Sequence, residues 1–116
     1  MVVDDDPGIG EAMADVLADE GYIVQLARNG VEALIQLRAG KEQPAMILLD
    51  LMMPIMDGFA FREAQELDPV LKDIPVVAVT AGTVDERVLG MGCADVLMKP
   101  IAIEKLLETI ERIAPR

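Results

Sequence analysis

Met46-Ile47-Leu48-Leu49-Asp50, followed by Leu51-Met52-Met53-Pro54-Ile55-Met56-Asp57-Gly58, decides how this chain is read. The four apolar residues read as a buried strand, Asp50 ends it, and the rest is a loop that turns into a helix. Three other strand-like runs end in polar groups of complementary chemistry. Val2-Val3 ends in Asp4-Asp5-Asp6, Val76-Val77-Ala78-Val79 in Thr80, and Val96-Leu97-Met98 in Lys99-Pro100. If these strands are parallel, carboxylates, a hydroxyl and an ammonium meet at one edge of one sheet. Such a set can hold a divalent cation and place a phosphoryl group on a carboxylate.

Working outward, strand and helix signals alternate. Ile9, Met13, Val16 and Leu17 recur at helical spacing, with Asp6 as cap, Pro7 at the first position and Gly21 past the end. Tyr22 to Ala27 reads as a more mixed strand. Asn29 caps a second helix carrying Val31, Leu34, Ile35 and Leu37, closed by Gly40. A third helix is predicted from Gly58 to Leu67, where Asp68-Pro69 breaks it, and Ile74 to Val79 follows as a strand. The next helix, Val84 to Met91, is weak because Gly82, Gly90 and Gly92 crowd it. Val96 to Met98 is a short strand, and Ile103, Leu106, Leu107, Ile110 and Ile113 line one face of a last helix.

Five repeats of strand then helix imply parallel strands joined by right-handed crossovers. The unalternating runs before Asp50 and Thr80 suit central strands covered on both faces, and Tyr22 to Ala27 suits an edge. The expected architecture is an α/β doubly wound five-stranded parallel sheet in the order 2-1-3-4-5. In such sheets ligands bind beyond the carboxyl ends of the strands, where the winding reverses. Asp4, Asp5 and Asp50 fall there by topology alone.

The chain has 116 residues, read as one domain over 1–116, with 53% hydrophobic and 27% charged residues. Its net charge of −11 argues against nucleic acid or an anionic membrane as a direct partner. The one cysteine, Cys93, allows no internal disulfide and reads as a small buried residue. No apolar run approaches the length of a membrane span and no signal peptide is visible, so a cytoplasmic location is expected. Histidine is absent, which excludes a phosphohistidine carrier or a His-ligated zinc site within this chain.

Carboxylates roughly 4–6 Å apart repel by about 3–4 kcal/mol at an effective dielectric near 20. Their cluster therefore needs a proton or a cation. Oxygen-only donors select a hard ion, and magnesium takes one or two carboxylates plus waters and phosphate oxygens. Lys99 suits phosphoryl transfer as a compact charge and Thr80 as a hydroxyl donor. Taken singly, Asp6 reads better as a helix cap, Thr80 as a turn residue and Lys99 as a solvated charge. Asp57-Gly58 reads as a turn and helix start, and Met52, Met53 and Met56 as loop packing. The joint placement on four strand ends is what carries weight.

With these motifs assembled, the chain resembles the receiver domain of bacterial two-component response regulators. The resemblance rests on V-V-D-D-D-P, I-L-L-D-L-M-M-P-I-M-D-G, V-V-A-V-T-A and D-V-L-M-K-P, in the family's order and spacing, and covers essentially the whole chain. It implies a flavodoxin-like (βα)5 fold. It implies that Asp50 is the phosphoacceptor, and that Asp4, Asp5, Asp50 and the backbone carbonyl of Met52 hold magnesium. Thr80 and Lys99 would contact phosphoryl oxygens, and the Lys99–Pro100 peptide would be cis. The phosphoryl donor would be a phosphohistidine on a sensor histidine kinase or histidine phosphotransfer protein. An effector domain or partner protein would receive the signal, and homodimers occur in the family.

Three departures stand out. Val96 occupies a position where the family often has Tyr or Phe, whose ring turns inward as the threonine moves; Val96 has no ring to turn. Ile101 follows Pro100 where Phe is common, a packing change. Only Met1 to Val3 precede Asp4, which reads as a trimmed or unseen start. Two other readings compete. One is a phosphorylation-independent protein-binding module of the same fold. The other is an enzyme such as a magnesium phosphatase or nucleotide-binding protein, which the three acids before Gly8-Ile9-Gly10 oppose by repelling phosphates.

Overall fold

The computed structural model describes residues 1–115. Strands β1 (Val2–Val3), β2 (Leu26–Ala27), β3 (Ile47–Asp50), β4 (Val76–Thr80) and β5 (Asp95–Met98) alternate with helices. These are α1 (Pro7–Asp19), α2 (Gly30–Ala39), α3 (Gly58–Glu66), α4 (Glu86–Leu89) and α5 (Ile103–Ile113). The strands form one parallel sheet in the order β2-β1-β3-β4-β5, the order read from the sequence. Asp50 pairs in register with Val79, and Thr80 with Met98, so the polar ends of neighbouring strands lie side by side.

Alternation along the strands sorts the core into two layers. Val3, Ile47, Leu49, Val76 and Ala78 pack against Ala33, Leu34 and Leu37 of α2, Phe61 of α3 and Val88 of α4. Val2, Leu48, Val77, Val79 and Leu97 pack against Met13 and Leu17 of α1 and Leu106 and Ile110 of α5. Ile47, Leu49, Phe61 and Val77 are completely buried. Each such side chain contributes about 1.5–3 kcal/mol relative to exposure, which makes the central strands the rigid part of the molecule.

Side chains set the helix starts. Asp6 Oδ1 accepts from the N–H groups of Gly8 and Ile9, with Pro7 next to it. Asn29 Oδ1 accepts from Glu32 N, and Asp57 Oδ1 from Ala60 N. Each removes an unpaired donor from a first helical turn. Gly58 is required by packing. A Cβ there would lie 2.8 Å from Asp50 O and from Leu51 Cα, so α3 could not begin this close to the end of β3.

Several boundaries differ from the sequence reading. The edge strand is two residues long instead of running from Tyr22, because it pairs only with Val2 and Val3; Ile23, beside it, is 98% exposed. The fourth helix is four residues, not eight. Gly90 ends it, and Gly92 at φ 71° turns the chain toward β5. β4 begins at Val76 and includes Thr80, and β5 starts at Asp95. Ile35 and Ile103, placed on buried helical faces by their spacing, are more than half exposed, and Ile9 and Val31 are more than a third exposed.

Candidate functional site

Asp4 continues the β1 ladder, its N–H donating to Ala27 O, and its side chain is buried. Asp4 Oδ1 accepts from Asp6 N at 2.9 Å, which leaves Oδ2 facing the sheet edge. Asp50, also buried, accepts from Met52 N at 3.1 Å through Oδ1. Lys99 Nζ lies between the two carboxylates, 3.2 Å from Asp4 Oδ2 and 3.4 Å from Asp50 Oδ2. Asp5 is exposed, yet one carboxylate oxygen each from Asp4, Asp5 and Asp50 lie within 4.8 Å of one another.

Thr80 is buried beside them. Its Oγ1 accepts from Gly82 N at 3.1 Å, and its carbonyl accepts from Lys99 N at 2.8 Å. The second bond fixes the spacing of Thr80 and Lys99 across β4 and β5. The Lys99–Pro100 peptide is cis. Val96 is half-buried against the layer that holds α2, α3 and α4, and Ile101 packs on the other layer.

The electrostatics follow from burial. Asp50 has a pKa above the ordinary carboxyl value, chiefly because burial disfavours its charge; the Met52 N–H bond opposes this, the Asp4 charge adds to it and Lys99 offsets part. For Lys99, burial opposes the ammonium. The hydrogen bond to Asp4 and the charges of both acids outweigh it, and its pKa lies above the usual lysine value. The Lys99 ammonium therefore stands where a cation is demanded by two buried acids.

The residues expected from sequence fall into two groups. Asp4, Asp5, Asp50 and Lys99 come together, with Thr80 on the adjoining strand end. Asp6 and Asp57 serve as helix caps, as their local pattern suggested. The donor set near the three acids is oxygen only, which fits a hard divalent cation. Sequence reasoning did not single out the Met52 N–H on Asp50. Nor did it single out Arg62 and Gln65 of α3, which are hydrogen-bonded to each other; an arginine and a glutamine in a helix give no signal of their own.

The chain matches the family model "Response regulator receiver domain" over residues 1–111. It is 38% identical over 119 residues to "Response regulator MprA" of Mycobacterium tuberculosis and of Mycobacterium leprae, covering 100% of this chain and 50% of each relative. The chain thus spans about half the length of these curated relatives. Among solved structures it resembles the chemotaxis protein CheY4 of Vibrio cholerae, with a TM-score of 0.87, 32% identity and coverage of 97% of this chain and 94% of that one. It likewise resembles the signal receiver domain of a signal transduction histidine kinase from Syntrophus aciditrophicus, with a TM-score of 0.87, 32% identity and coverage of 97% and 86%. Sequence match, strand order and the acidic sheet edge agree: the chain belongs to the response regulator receiver domain family.

Proposed function

We propose that residues 1–116 form one receiver domain that takes a phosphoryl group on Asp50 from a phosphohistidine of a sensor histidine kinase or histidine phosphotransfer protein. The observation that carries this is Lys99 Nζ lying within 3.4 Å of both Asp4 and Asp50, with Asp5 alongside. That arrangement supports a site evolved to gather negative charge and balance it.

An Asp50 carboxylate oxygen attacks phosphorus, the bond from phosphorus to the donor's imidazole nitrogen breaks, and the electron pair leaves on that nitrogen. Asp4, Asp5, Asp50 and the Met52 carbonyl would hold magnesium, which supplies charge neutralisation for the phosphoryl oxygens. Lys99 contacts one phosphoryl oxygen as Coulomb attraction draws it from Asp4. Thr80 donates its hydroxyl to another. The phosphoryl group adds about −1.5 to −2 charge, and the pull on Thr80 and Lys99 shifts the face formed by α4, β5 and α5. That face signals to an effector domain or partner protein, or forms a homodimer. The domain catalyses only its own phosphorylation and dephosphorylation, works in the cytoplasm, and uses no direct contact with nucleic acid or membrane. Among the described residues no helix is long and apolar enough to cross a membrane.

The test is intact mass after incubation with acetyl phosphate or phosphoramidate, in magnesium and in EDTA, on wild type and Asp50→Asn. The expected result is a magnesium-dependent gain of one phosphoryl group that the variant lacks. A folded protein that gains nothing in magnesium would favour the phosphorylation-independent binding module.

A further inference from the structure

α4 is a single helical turn with one buried side chain, Val88. A helix this short has no stability of its own, so its position has to be imposed from outside. Burial of Val88 against the sheet layer supplies part of this, and polar contacts from α3 supply the rest. Arg62 Nε donates to Met91 O at 2.9 Å, and Nη2 donates to Gly92 O at 3.3 Å. The same guanidinium is held from behind, with Nη1 on Gln65 Oε1 at 2.9 Å and Nη2 on Glu66 Oε1 at 3.3 Å. Gln65 is fully buried, and its amide donates to Leu71 O and Ile74 O. It cannot turn without orphaning those bonds. One turn earlier, Arg87 of α4 lies over the Phe59 ring of α3 at 3.7 Å.

The arginine is thus a pre-aimed fork on a rigid helix. It grips two successive carbonyls at the bend where α4 gives way to β5. Gly92 sits at φ 71°, and a Cβ there would come within 3.4 Å of Arg62 Nη2, so the grip is close. Val96 follows four residues later and offers no aromatic ring to change its orientation.

We infer that Arg62 is a positioning residue, a latch that holds the α4–β5 junction against α3 in the resting state, and that release of this latch conveys the state of Asp50. The release half rests on the phosphoacceptor reading; the resting half does not.

The test is backbone amide exchange read by mass spectrometry, first on unphosphorylated protein. In Arg62→Met, exchange across residues 86–95 is expected to rise on the order of tenfold or more, with residues 47–50 and 103–113 unchanged. Arg62→Lys keeps the charge and the apolar stem but cannot reach both carbonyls, so it should fall nearer to Arg62→Met than to wild type. Phe59→Leu should give a smaller rise confined to residues 86–90. No rise in Arg62→Met, full rescue by lysine, or a rise spread evenly over the sheet and α5 would each overturn the latch. In a second step, wild type verified by mass as phosphorylated should exchange across 86–95 like unphosphorylated Arg62→Met. Phosphorylation without that change would overturn the release. Failure to gain phosphate would remove the release together with the phosphoacceptor reading, while the resting comparison still decides the latch.

Discussion

Replacing Lys99 with methionine should destabilise the metal-free protein in a strongly pH-dependent way. Methionine keeps the apolar stem and deletes the charge. At 3.2 and 3.4 Å from Asp4 and Asp50, the ammonium gains about 5 kcal/mol from each acid at an effective dielectric near 20. Without it, the oxygens of Asp4 and Asp50, within 4.8 Å of each other, repel by about 3.5 kcal/mol or more. The fold has one escape, which is to protonate one of the two. At pH 7 that costs about 4 kcal/mol relative to an ordinary carboxyl group of pKa about 3.9, and at pH 5 about 1.5 kcal/mol. These values are ceilings, and the loss of desolvation at Lys99 offsets part of them. The expected destabilisation is about 2–4 kcal/mol at pH 7, shrinking to about 1 kcal/mol at pH 5. Urea unfolding in EDTA would measure it by circular dichroism, since the chain has no tryptophan and one tyrosine. Adding Asp50→Asn, or millimolar magnesium, should restore most of the loss. A loss of equal size at both pH values, or none at all, would refute the claim that Lys99 stabilises by balancing two buried acids.

Asp50→Asn alone should stabilise the protein at pH 7. Burial raises the folded pKa of Asp50 above its unfolded value, so the penalty for its charge is fully present above the folded pKa. It declines as pH falls through that value and vanishes below the unfolded one; urea midpoints of the two proteins should converge in acid. Ile55→Gly should gain about 0.5–1 kcal/mol in thermal unfolding. Ile55 is 82% exposed and sits at φ 71° in a γ-turn closed by Met56 N on Pro54 O, so glycine relieves the backbone while losing little burial. Gly58→Ala should cost about 2–3 kcal/mol and slow phosphorylation, because the new methyl meets Asp50 O and the Leu51 backbone at 2.8 Å; stability unchanged by this substitution would remove the packing argument.

The sheet order and the acidic edge were legible because each rests on a local signal. Continuous apolar runs ending at Asp50 and Thr80 mark central strands, and Asp6, Asn29 and Asp57 mark helix starts by their own chemistry. What was not legible depends on distant partners. Tyr22 to Ala27 has the composition of a strand, but its length is set by the two residues of β1 that it can pair with. Ile9 and Ile103 keep helical spacing, yet the width of the buried stripe is fixed by the neighbouring helix. The Arg62 network joins residues 62, 65, 71, 74, 91 and 92, and no periodicity links those positions. Lys99 was placed at the site by its strand, but its midway position between Asp4 and Asp50 needed coordinates.

The pleat of the sheet has a further consequence. By alternation Asp4 and Asp50 share a face with Val2 and Leu48, and Lys99 with Leu97, the face covered by α1 and α5. Thr80 shares a face with Val76 and Ala78, the one covered by α2, α3 and α4, where Val96 also packs. The sheet therefore sorts its strand-end groups, with Asp4, Asp50 and Lys99 on the side of α1 and α5 and Thr80 on the side of α2, α3 and α4. Cavities cut under α1 or α5 should change how strongly burial disfavours the Asp50 charge. Cavities cut under α3 or α4 should leave that penalty alone and loosen the packing beside Thr80 instead.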